Sequence, residues 1–192
     1  MKKIVILFLT IIVCCSTYGQ SLKVGDKVPE ILFENVLFPD SKDKIVKNVP
    51  LTTFKNKIII IDFWATWCGP CIYALSKYEV LQKKYTEKLQ IITVTHEEVK
   101  RIQSFIKNRP VQLMMAIDTS ELLRKYFAYR TIPHVILIDT NGVIKAITNS
   151  DEIKDKVIDD VWIGKEISLP LKQDDLFEFG RRISPSLGTY RK

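Results

Sequence analysis

The sequence is short of the residues that build metal sites and disulfide scaffolds. Its 192 positions hold two histidines and four cysteines. A zinc site usually takes four ligands, but there is no second Cys-x-x-Cys pair, and His96 and His134 stand at no ligand-like spacing to the cysteines. A long basic run is also missing. The 29 Lys and Arg are scattered among 22 Asp and Glu, for a formal charge of +7. Neither a basic stripe with aromatics nor a helix–turn–helix pattern is present, which argues against nucleic acid as a partner. The chain has no internal repeat, no low-complexity segment, and no apolar run of the ~20 residues that a bilayer-spanning helix takes. With 46% hydrophobic and 27% charged residues, it suits one globular domain plus extensions.

The first residues read as a targeting segment. Met1-Lys2-Lys3 supplies a positive n-region, residues 4–13 an apolar h-region, and Thr17-Tyr18-Gly19 a small-x-small cleavage site before Gln20. Residues 1–19 are expected to be a signal peptide and the protein to be exported; losing Lys2 and Lys3 lowers the charge from +7 to +5. An uncleaved anchor is the weaker reading, because the apolar stretch is short. Cys14 and Cys15 raise a third, a membrane-anchored lipoprotein, although Ile11-Ile12-Val13 lacks the small side chains of such a processing site. Cleavage after Gly19 leaves two cysteines three apart, too few for a disulfide framework. They look like a site.

Residues 24–54 carry short apolar stretches broken by Pro29, Pro39, Pro50 and the polar run at 40–43, a lead-in of short strands and loops. The β-branched run Ile58-Ile59-Ile60-Ile61 and its flanks, over 57–64, predict a strand covered on both faces. A helix is expected over 72–88, where Leu75, Tyr78, Leu81 and Tyr85 recur at helical spacing. Strands follow at 90–95 and 113–117, with helices at 97–107 and 120–129. Runs at 133–139 and 143–148 flank Asn141-Gly142, the strongest short hairpin signal. A last helix is expected over about 150–160. Strands alternating with helices imply parallel pairing, to which the hairpin adds an antiparallel edge. The expected organisation is a signal peptide at 1–19, one α/β domain at 20–160 and a C-terminal extension at 161–192 whose purpose is not readable.

Cys68-Gly69-Pro70-Cys71 between a strand and a helix has three readings: a metal site, a static disulfide, or a redox dithiol. The flanks favour the last. A cysteine at a helix start meets unpaired backbone N–H groups and the positive end of the macrodipole, both of which stabilise a thiolate. Cys68 is expected to attack a substrate disulfide and Cys71, one turn into the helix, to resolve the mixed disulfide. Pro70 suits an early helical position, where its missing N–H costs little.

Phe63-Trp64-Ala65-Thr66-Trp67-Cys68-Gly69-Pro70-Cys71 resembles the thioredoxin active-site segment. Thr131-Ile132-Pro133 resembles the cis-proline loop of that family, and Val24-Gly25-Asp26-Lys27-Val28-Pro29 narrows the likeness to the exported TlpA-type (ResA-like) branch. The resemblance covers roughly residues 24–160. It implies a thioredoxin-like three-layer fold, a central mixed sheet flanked by helices, with an N-terminal strand extension and a C-terminal tail. It also implies a cis peptide at Pro133 facing the dithiol, and backbone hydrogen bonds from Ile132 to an extended substrate, with Trp67, Gly69 and Pro70 on the substrate side. Asp62 stands where thioredoxins keep a buried acid behind the second cysteine. Burial would raise its pKa and let it exchange a proton with Cys71 through water; the alternative is a merely satisfied buried acid. Trp64 is explained by core packing alone.

Two departures bear on the branch. ResA-like proteins often carry glutamate at the position of Ala74, and often lack the aspartate that this chain has in Asp62. The proton chemistry therefore resembles thioredoxin more than a cytochrome-maturation specialist. His134, where thioredoxins commonly have threonine, is either a tuner of the potential or an ordinary strand residue; His96 reads as a loop residue. The implied activity is reduction of disulfides in exported proteins by a monomer, fed by a membrane electron donor, in the periplasm, with no cofactor beyond the Cys68–Cys71 disulfide. Alternatives are an oxidase or isomerase of higher potential, or a non-catalytic peptide-binding module. A thiol peroxidase shares the lead-in but not the adjacent dithiol.

Overall fold

The structure is a computed structural model that describes residues 21–39 and 45–172. The signal-peptide and lipidation readings at 1–19, the polar run at 40–43 and the end of the C-terminal extension lie outside the described residues. In the lead-in, β1 (Leu32–Phe33) pairs antiparallel with β4 (Val49–Pro50), while β2 (Val36–Leu37) pairs with β3 (Ile45–Val46). A 3-10 turn, Leu51–Phe54, leads into β5 (Ile58–Phe63). Then follow α1 (Gly69–Lys84), β6 (Leu89–Thr95), α2 (Val99–Asn108), β7 (Met114–Ile117) and α3 (Leu122–Tyr126). The domain ends with β8 (His134–Ile138), β9 (Ile144–Thr148) and α4 (Asp155–Trp162).

Seven strands form one mixed sheet in the order β3-β2-β7-β6-β5-β8-β9. β5, β6 and β7 run parallel; β8 and β9 at one side, and β2 and β3 at the other, run antiparallel to their neighbours. All six residues of central β5 are buried. Each of its isoleucines contributes roughly 1.5–3 kcal/mol of burial, which makes room for one costly neighbour, Asp62. Alternation divides the strand: Ile58 and Ile60 pack with Leu75 and Tyr78 of α1, Ile102 of α2 and Ile158 of α4. Ile59, Ile61 and Phe63 pack on the other face with Leu123, Phe127 and the lead-in residues Phe33, Leu51 and Phe54. The sheet thus lies between two layers.

Three expectations shift. α1 ends at Lys84 rather than near 88, with Tyr85 closing the last turn onto Leu81. α3 is five residues, not ten, because Glu121 takes a left-handed φ of 52° and the Asp118 carboxylate accepts the N–H groups of Leu122 and Leu123. The last helix is split into a 3-10 turn at Ser150–Glu152 and α4. The short α3 also explains why β8 is antiparallel to β5 rather than the end of a parallel crossover. Five helical residues advance only ~7.5 Å, so the chain re-enters the sheet at the end it left, pairing His134 with Phe63. That places the Pro133 loop beside the end of β5 from which the cysteine segment departs.

The flanks of the domain lie along β9. Gly25 N–H donates to the Ile144 carbonyl, Ile144 N–H donates to the Asp26 carbonyl, and Lys172 N–H donates to the Ile147 carbonyl. The Thr148 hydroxyl donates to the Pro170 carbonyl at 2.8 Å.

Candidate active site

Cys68 caps α1, and Cys71 lies within its first turn. Cys68 Sγ accepts the N–H of Cys71 at 3.3 Å, and the two sulfurs form a disulfide with Cα atoms 5.3 Å apart. Gly69 and Pro70 are the first helical residues and are exposed, Pro70 where an N–H has no intrahelical acceptor anyway. Cys71 is fully buried, while Cys68 retains 6% exposure, so the first sulfur is the reachable one. Trp67 beside it is 66% exposed, whereas Trp64 is buried against Phe105 with ring centroids 5.3 Å apart.

The loop before Cys68 is braced by Glu97, which the apolar spacing marks only as the start of a helix. Buried Glu97 accepts the Thr66 N–H at 2.6 Å and the Thr66 hydroxyl at 2.9 Å, and pairs with Arg101 at 2.7 Å. An acidic residue just after a strand end was the only signal for it.

Asp62 shares the sheet face of Ile58 and Ile60, the face that α1 covers, and is fully buried. Neither of its oxygens reaches hydrogen-bond geometry with a described residue. Desolvation pushes its pKa well above the usual aspartate range; the Lys172 ammonium, the Tyr78 hydroxyl and the His134 backbone pull it back to a lesser degree. The Tyr78 phenol is itself pushed up, first by burial and then by the charge of Asp62, so it keeps its proton, and its hydroxyl has no partner in hydrogen-bond geometry among the described residues. Tyr78 read as an apolar helix position, and nothing in its spacing distinguished its hydroxyl.

The Ile132–Pro133 peptide bond is cis. Ile132 and Pro133 are half-buried, and Ile132 packs against the apolar clusters of both sheet faces. His134 turns to the face opposite the dithiol. Its ring stacks on Tyr129 at 5.3 Å and lies 5.9 Å from Phe63, which favours the reading of an ordinary strand residue. His96 is exposed in the loop after β6. Lys172, from the segment after α4, sends its ammonium to the carbonyls of Thr131 and Pro133. Among the described residues no group of three or more His, Cys, Asp or Glu is placed to hold a metal ion, and no helix is long and apolar enough to cross a membrane.

The chain is similar to known proteins. The chain is 28% identical over 167 residues to the thiol-disulfide oxidoreductase ResA of Bacillus thuringiensis subsp. konkukian, covering 82% of this chain and 95% of that one. Its fold is similar to a crystal structure described as a candidate thiol-disulfide oxidoreductase from Bacteroides vulgatus, with a TM-score of 0.58, 27% identity and coverage of 73% and 97%. A candidate thiol:disulfide interchange protein DsbE from Chlorobium tepidum gives a TM-score of 0.55, 25% identity and coverage of 65% and 83%. Residues 24–147 match the AhpC/TSA family, a span that takes in Asp62, both cysteines and Pro133 but stops short of Lys172. With more than half of its length in that match, the chain belongs to the AhpC/TSA family, as a thioredoxin-like protein of the ResA/TlpA type.

Proposed function

We propose that the protein is an extracytoplasmic thiol–disulfide oxidoreductase that reduces disulfides of exported proteins, drawing electrons from a membrane donor and working as a monomer. The observation that carries this reading is the placement of Cys68 Sγ at the N-terminus of α1, slightly exposed, with Cys71 buried behind it. Export rests on the leader-like residues 1–19, with acylation at Cys14 or Cys15 as the variant that would leave it membrane-anchored.

Cys68 Sγ accepts the Cys71 N–H in the disulfide form, and on reduction the same N–H and the positive end of α1 would stabilise the Cys68 thiolate. It attacks one sulfur of a substrate disulfide; the other leaves as a thiolate, and a mixed disulfide forms. Asp62, as carboxylate, takes the Cys71 thiol proton through water. The Cys71 thiolate then attacks Cys68 Sγ, releasing the second substrate thiolate and leaving the Cys68–Cys71 disulfide seen here. Two electrons have passed to the substrate, and the donor's dithiol restores them. Ile132, Pro133 and exposed Trp67, Gly69 and Pro70 form the surface on which the substrate segment lies.

The runner-up is an oxidase or isomerase with the same residues at a higher potential. His134, the first suspect for such a shift, lies on the other face of the sheet. Equilibrating the Cys68–Cys71 couple in defined thiol–disulfide buffers separates the two. A potential near the ≈ −270 mV of thioredoxin is the expected result, and one toward ≈ −120 mV would reverse the direction. No reversible couple at all would leave a binding role.

A further inference from the structure

The exchange reaction leaves one residue unaccounted for. Lys172 lies beyond α4, in a stretch with no helical or strand pattern, yet it is only 8% exposed. Lysines are almost never buried so far without partners. Its Nζ donates to the Thr131 and Pro133 carbonyls, both at 2.5 Å. These are the carbonyls on either side of Ile132, whose own N–H and C=O form no backbone hydrogen bond among the described residues. The approach is fixed from below: Lys172 N–H donates to Ile147 at 3.1 Å, and Pro170 accepts from Thr148. β9 thus holds the segment, and the segment delivers a cation beneath the proline loop. Pro133, one of the two acceptors of Lys172, stands two residues before Val135, the cross-strand partner of Asp62, so the ammonium's charge favours the Asp62 carboxylate, which Tyr78 from α1 and the His134 backbone from β8 also face.

We propose that Lys172 is a positioning residue for disulfide exchange, holding the backbone strip at Ile132 in place for an extended substrate segment and setting the charge opposite Asp62. The inference rests on the oxidoreductase reading above. It assigns a role to the tail that the AhpC/TSA match, ending at residue 147, does not reach. A fixed ammonium is suited to this because it holds the carbonyls on both sides of Ile132 at once while leaving the Ile132 N–H and C=O to a substrate segment.

The test uses the full chain and the variants Lys172→Met, Lys172→Gln and Lys172→Arg, in two assays. In turnover of a disulfide-bonded peptide with a dithiol reductant, Lys172→Met raises KM about tenfold, equivalent to ~1.4 kcal/mol, with kcat little changed. Lys172→Gln and Lys172→Arg, which keep N–H donors, stay closer to wild type. In an NMR titration of the Asp62 carboxyl in the oxidised protein, Met and Gln move the midpoint up and Arg restores it. A lysine that only stabilises the fold would lower the unfolding midpoint and leave both KM and the Asp62 titration where they were, and that result overturns the proposal. If Lys172→Met does not fold, the Gln variant decides the matter through the titration. If wild-type protein turns over no disulfide peptide, the oxidoreductase reading fails, and the titration, which needs no substrate, still shows whether Lys172 governs the charge at Asp62.

Discussion

A carboxyl group buried on the dithiol face of the sheet, with no hydrogen-bond partner among the described residues, makes Asp62 unlike a salt-bridged surface aspartate. Its folded-state pKa is raised, so between the ordinary aspartate value of 3.8 and that raised value the folded chain holds a proton which the unfolded chain has released. Stability therefore falls as pH rises through this window, and the full cost of charging persists above it. Asp62→Asn removes the charge and keeps the shape. It is expected to be more stable than wild type by ~1 kcal/mol or more at pH 8, with the gap closing toward pH 4; urea unfolding of the oxidised proteins across that range checks both statements. A gap that stays constant with pH would mean that Asp62 does not titrate in this window. Asp62, Cys68 and Cys71 are conspicuous in the sequence because they break local rules, a charge among isoleucines and two closely spaced thiols, whereas Pro133 is conspicuous only through the likeness of Thr131-Ile132-Pro133 to the thioredoxin cis-proline loop. Tyr78, Glu97 and Lys172 break none. Their importance comes from where the fold carries their polar ends, and periodicity records only where a side chain is buried.

At the scale of elements, α1 carries Cys68 at its N-terminus, and the loop before it is tied to α2 through Arg101. Glu97 satisfies the Thr66 N–H and hydroxyl and receives Arg101, so its carboxylate ties the residues just ahead of Cys68 to the start of a second helix. Glu97→Ala leaves those donors to find water in a half-buried site. A loss of about 1–3 kcal/mol is expected, together with slower exchange at Cys68, read by denaturant unfolding and by the rate of thiol alkylation; Glu97→Gln, which still accepts one bond, should recover part of each. The strands of the central sheet were readable from their β-branched runs, while the orientation of β8 was not. Strand-helix-strand order signals a crossover only when the helix is long enough to carry the chain back. The ends of α3 are decided by the Asp118 carboxylate and the left-handed Glu121, which leave no trace in apolar spacing.

Taken whole, the molecule brings the cysteine segment and the Pro133 loop to one end of the sheet, where β5 ends and β8 begins. The layered arrangement and the thioredoxin-like likeness were legible from the order of runs. The place of the segment around Lys172 was not, since it adds one contact at a time to a strand already formed. That contact pattern has a further consequence. β9 is the last strand of its sheet, and an outermost strand offers its unpaired amides and carbonyls to any other chain that can extend it. Here the stretch around Gly25 and Asp26 occupies one half of that ladder and the stretch around Pro170 and Lys172 the other, while the opposite outer strand, β3, is only two residues long. The two flanks thus take up part of the hydrogen-bonding edge that β9 would otherwise offer. A chain beginning at residue 29 should fold around the same sheet yet form larger species as concentration rises, visible by light scattering, whereas the longer chain stays at constant size.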